Sequence, residues 1–100
     1  MVAILWDGNI KLFGQLDIQN DIYFSPLKES PKTKRLLIHF GIIEHVSYYY
    51  IYRLINQGIK IYCEDNLSYT FVVSDPYALM DFIKYHLVMH KIQEKIITDN

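Results

Sequence analysis

The apolar positions of this chain change their period along its length, and the changes mark out the predicted elements. Val2 to Trp6 is an apolar run that reads as a strand. Asp7-Gly8 follows, a strong hairpin signal, because a type I′ turn needs positive φ at both central positions. Ile10 and Leu12, then Leu16 and Ile18, carry an alternating strand back, with Gly14 as a candidate bulge. Gln19-Asn20-Asp21 is a second turn and Ile22 to Phe24 a third strand, so the first quarter reads as an antiparallel meander. Residues 25–34 break the pattern with two prolines, two serines and several charges, which predicts an exposed loop.

Arg35 to Phe40 reads as a fourth strand, and Gly41 leads into a predicted helix from about Ile43 to Gln57. Gly58 stands where a left-handed cap residue ends a helix. Ile59 to Cys63 alternates as a fifth strand, which makes strand, helix and strand a βαβ unit with a right-handed crossover. Asp65-Asn66 turns the chain into a sixth strand, Ser68 to Val73. Asp75-Pro76 is a helix start, with Asp as N-cap and Pro at the first helical position, and the last helix should run to about Ile96. The expectation is a single α+β domain over residues 1–100. Its sheet would be mixed and mainly antiparallel, with five or six strands: the N-terminal meander, one βαβ unit and a hairpin. Two helices would cover one face, leaving part of the other for a partner.

Tyr48-Tyr49-Tyr50-Ile51-Tyr52 is the most informative stretch. In a helix, successive residues are about 100° apart, so these rings cannot share one face. With Ile43 at the origin, Val46, Ser47, Tyr50, Ile51 and Leu54 fall within about 80° and form the packing face. His45, Tyr48, Tyr49, Tyr52 and Asn56 fall on the far side, with Tyr48 toward the boundary. Tyrosine buries much area at low entropy cost, which makes this far side a candidate protein interface centred on Tyr49 and Tyr52. The plain alternatives are rings lying over neighbouring loops with wet hydroxyls, or a base-stacking platform.

Composition sharpens this picture. A chain of 100 residues with 15% aromatic content struggles to hide every ring within one small domain, and dimerisation relieves that. The formal net charge of −1 argues against a general nucleic-acid coat or a polybasic membrane binder. Cys63 is the single cysteine, which excludes an internal disulfide and a cysteine-rich zinc cluster. The N-terminus is too soon interrupted for a secretion signal, and no apolar run approaches the ~20 residues that span a bilayer. These features predict an intracellular, cytoplasmic protein without membrane partners. Fifteen Ile, eight Lys and nine Tyr against two Ala favour A/T-rich codons. In composition the chain resembles the small proteins of viruses and plasmids of hyperthermophilic archaea. That resemblance implies a viral or mobile-element accessory protein in a host cytoplasm, and it carries no motif from which a functional residue transfers.

Candidate chemistry is sparse. His86 and His90, four residues apart on the last helix, project from one side and are the candidate metal pair, but the Glu of a zinc-protease motif is missing and a third ligand must come from elsewhere. They are read first as histidines flanking the core or an interface, with no metal and no cofactor. His39 and Cys63 fall on strands that the βαβ unit would make neighbours, a candidate Cys–His pair, with a buried structural cysteine as the plainer reading. Glu64-Asp65-Asn66 reads as turn chemistry before it reads as a carboxylate site. Lys28, Lys32, Lys34 and Arg35 form the densest group of cations, with potential phosphate contacts if the loop meets nucleic acid.

The leading expectation is a non-enzymatic protein-interaction module, homodimeric through the tyrosine helix, the last helix or a sheet edge. The alternative is a nucleic-acid-binding protein that sets the basic loop on phosphates and exposed tyrosines on bases. A small metal-dependent nuclease comes third.

Overall fold

The structure, a computed structural model, describes residues 1–7, 10–28, 35–51 and 55–99. Seven strands form one sheet: β1 (Val2–Asp7), β2 (Ile10–Ile18), β3 (Ile22–Pro26), β4 (Leu36–Ile38), β5 (Ile43–Ile51), β6 (Ile55–Cys63) and β7 (Ser68–Val73). Their spatial order is β4-β3-β2-β1-β7-β6-β5, every neighbouring pair is antiparallel, and the sheet curls into a half-barrel. One long helix, α1 (Pro76–Asp99), follows the last strand. Two isolated 3-10 turns, Phe40–Ile42 and Glu64–Asn66, join strands.

The N-terminal meander falls where the alternation placed it. Asp7 pairs with Ile10, while the residues between them lie outside the described part of the chain. The expected mixed sheet of five or six strands with two helices is overturned. Residues expected as the first helix are β5 and the start of β6, an antiparallel hairpin. The physical reason lies in their side chains. Six of the nine residues of β5 are β-branched or aromatic, types that lose rotamer freedom in a helix and fit a pleated surface. The expected βαβ unit goes with the helix. β4 and β6, which it would have made neighbours, lie well apart in the sheet order. Gly58, expected as a helix cap, is a strand residue, and a Cβ there would run into the carbonyl oxygen of Phe71 on β7. Glycine is needed at position 58 for close strand approach, not for a left-handed turn.

Cross-strand register sorts the side chains onto two faces. One inner row runs Leu12, Leu5, Phe71, Ile59 and Tyr48, from β2 through β1, β7 and β6 to β5. Phe24, Ile22 and Ile38 extend this inner face toward β4 and are buried. Leu79, Met80 and Ile83 of α1 close over it, also buried. The helix starts as the sequence predicts: the Ala78 amide donates to Oδ1 of Asp75 at 3.1 Å, and Pro76 takes the first helical position.

Candidate functional site

Strand geometry, with its period of two, divides the tyrosine run differently from a helix. Tyr48 points inward, half-buried, with its ring centroid 5.3 Å from that of Tyr77 on α1. Burial raises its hydroxyl pKa, and the Asp81 carboxylate, Tyr77 and Tyr50 push the same way. Tyr49 points to the helix-free face and meets Trp6 edge-on, with centroids 5.6 Å apart. That contact spans two intervening strands, along rows that include Gly58, a position that adds no side chain. His45 stacks on its cross-strand partner Tyr62 at 4.2 Å. Tyr50 is exposed. Asn56 pairs with Tyr50 through the β5–β6 ladder, and Tyr52 lies outside the described residues. The predicted group of Tyr49, Tyr52, His45, Tyr48 and Asn56 is therefore not one patch, because Tyr48 is on the opposite face from Tyr49 and His45.

The helix-free face has its own pattern. Lys11, Trp6, Thr70, Lys60 and Ser47 form one cross-strand row. Lys11 Nζ lies 4.9 Å from the Trp6 ring centroid and Lys60 Nζ 5.1 Å from that of Tyr62. These are cation–π distances. The next row, Phe13, Ile4, Val72, Gly58 and Tyr49, is apolar throughout.

The second surface is on α1, the last helix, which the sequence offers as an interface without marking the residues that form it. Leu79 and Ile83 are buried, while Phe82 between them is 47% exposed. Tyr85 is 60% exposed, Val88 56%, Met89 38% and Ile92 47%. Phe82, Tyr85, Met89 and Ile92 follow one another at intervals of three, four and three residues, the spacing of a helix-pairing seam. The stripe lies roughly 150° around the helix from the buried face. The spacing alone could have revealed it, but in the sequence its residues interleave with those that face the core, as Phe82 does between Leu79 and Ile83.

His86 and His90 sit on one side of α1, as their spacing requires. Their rings pack on Phe40, His86 stacked at 5.6 Å and His90 tilted at 6.5 Å, which explains them as core flank. Gln19, Asn20, Asp21, Met89 and Gln93 complete a cleft of about 280 Å³ beside them. Among the described residues no group of three or more His, Cys, Asp or Glu side chains could hold a metal ion.

The expected Cys–His pair does not form. His39 Nδ1 lies 3.2 Å from Asp21 Oδ2, while Cys63 is buried in the core with its thiol pKa raised by burial first and by Glu44 and Glu64 second. Glu64-Asp65-Asn66 is a turn, with Asp65 and Asn66 at φ of 60° and 61°. Of the four predicted phosphate contacts, Lys28 and Arg35 are exposed and Lys32 and Lys34 lie outside the described residues. Lys28 shares an apolar groove of about 430 Å³ with Lys11, Leu12, Phe13, Pro26 and Leu27.

Comparison with models of known protein families gave no match, and neither did comparison with curated proteins. Among the described residues, no helix is long and apolar enough to cross a membrane.

Proposed function

We propose that this chain is a non-enzymatic protein-binding module whose contact surface is the outer face of α1. One observation carries the reading: Phe82, Tyr85, Val88, Met89 and Ile92 are left exposed together on one side of a helix whose opposite side is already packed. A contiguous apolar stripe of this kind marks a contact surface far more often than scattered single residues do. Tyrosine and methionine at its centre suit such a surface, the first for area at low entropy cost and the second for adaptable packing.

Hydroxyl-radical footprinting of the full chain tests this. Tyr85 and Met89 should become protected when the surface is engaged, either as the chain's own concentration rises or when extract proteins are added. Full reactivity of both under every condition would sink the reading.

A second reading, single-stranded nucleic-acid binding, is favoured by the helix-free face, where Lys11 lies over Trp6 and Lys60 over Tyr62. Aromatic rings beside cations are the elements of a stacking platform. It predicts salt-sensitive quenching of Trp6 fluorescence by an unlabelled oligonucleotide, weakened by Lys11→Ala and Lys60→Ala. No quenching at low salt would end that reading.

A further inference from the structure

We infer that the occupant of the α1 stripe is a second copy of this chain, laid against it antiparallel about a two-fold axis near Leu87. The inference rests on the protein-binding reading and names its partner. Three features support it: spacing, charge and area.

The spacing is that of a coiled-coil seam. Ala78, Phe82, Tyr85, Met89 and Ile92 recur at alternating four- and three-residue intervals, and in the sequence Ile96 continues them. A stripe with this repeat is straight along the helix and presents the same knobs and holes to a copy of itself. A two-fold interface requires that self-complementarity.

Charge selects the direction. Asp81 and Val88 are exposed and seven residues apart, at one flanking heptad position; Lys95 holds the next such position in the sequence. In an antiparallel pair, flanking positions of the same type oppose each other. Position 81 of one copy then meets position 95 of the other, an aspartate against a lysine, and symmetry makes this happen twice. Position 88 meets its own copy, valine against valine. In a parallel pair, position 81 would instead meet His86, and Val88 would meet the amide of Gln93. Along the row of positions 81, 88 and 95, the antiparallel arrangement matches charge with charge and apolar with apolar, which the parallel one does not.

Area sets the strength. The exposed parts of Phe82, Tyr85, Val88, Met89 and Ile92 amount to roughly 450 Å² per copy, and Asp81 at the rim brings the pair toward the ~1,200 Å² lower bound of specific interfaces. Such an interface gives a reversible dimer with a dissociation constant in roughly the micromolar range.

The test uses the full chain, in which Asp81 and Val88 are exposed; circular dichroism and a thermal melt check the fold of each variant. Sedimentation velocity across roughly 1–200 µM should show a reversible dimer. Asp81→Lys alone and Lys95→Asp alone should each weaken self-association about tenfold, and an equal mixture of the two should associate at least as tightly as the unaltered chain. Val88→Cys should oxidise to a disulfide-linked dimer, with buried Cys63 taking no part. A chain that stays monomeric overturns the inference, as does a dimer indifferent to all three variants. If the monomer's Tyr85 and Met89 are nonetheless protected by other proteins, the partner is wrong and the protein-binding reading stands. If they are never protected, both fall.

Discussion

β5 and α1 both carry more aromatic and apolar side chains than one packing face accepts, and the molecule deals with the two surpluses in opposite ways. β5 is a strand, so its surplus divides between two faces, and each face has something to meet it. Tyr48 finds Tyr77 on α1, while Tyr49 finds Trp6 across the sheet. α1 packs on one side, and the Phe82–Ile92 stripe on the other is left 38–60% exposed. A run of tyrosines in the sequence thus points less directly to a partner than a quieter heptad on a helix. What matters is how many faces the element has and how many of them the fold covers.

Substitutions should separate the two regions, because β5 and its neighbours are built into stability while the α1 stripe is not. The largest loss should come from Phe71→Ala. It empties the centre of the inner face beneath Tyr48 and Ile59, and chemical denaturation should report about 3–5 kcal/mol. Gly58→Ala should follow at about 3 kcal/mol, since a Cβ must displace β7 backbone at Phe71 and unseat the β5–β6 hairpin. A neutral result there would mean that the hairpin does not lie as described.

Tyr49→Ala removes one aromatic pair and part of the cover on the helix-free face, and should cost about 1–2 kcal/mol. Tyr85→Ser should change monomer stability by less than about 0.5 kcal/mol, because the ring is 60% exposed and its aromatic contact is an edge-on one with His86 on the same helix. If Tyr85→Ser costs as much as Tyr49→Ala in dilute solution, the contrast between the regions fails.

The smallest effect is one of pH. Burial holds the Tyr48 hydroxyl pKa above its usual value, so the neutral form is favoured by folding. Its stabilisation is complete below the unfolded tyrosine pKa near 10 and is lost as pH rises through the higher folded value. Tyr48→Phe should therefore flatten part of the fall in stability measured above about pH 10.

Much of the fold was legible along the chain. The meander, the turn at Gln19–Asp21, the strands Ile59–Cys63 and Ser68–Val73, and the Asp75-Pro76 helix start all fall where pattern and turn chemistry placed them. The miss was residues 43–57. Ile43, Val46, Tyr50 and Ile51 can be laid on a helical face, and Gly58 looks like a cap, so a helical period was found in a segment that alternates as a strand. The candidate site suffered the same way. Tyr49 and His45 do lie on one outward face, but their neighbours there, Trp6 and Tyr62, come from strands far away in sequence.

By itself, then, the sequence determined what local chemistry can determine. Turns follow from residues that tolerate positive φ, the helix start from a capping side chain, and the single strands of the meander from alternation. The tertiary structure decided everything that depends on a second surface: that β5 pairs with β6, that Gly58 serves close strand approach, that Tyr48 is inside and Tyr49 outside, and that the Phe82–Ile92 stripe is uncovered. Periodicity shows which residues share a face. Only the packing of the whole chain decides whether that face meets the core, another strand or the outside.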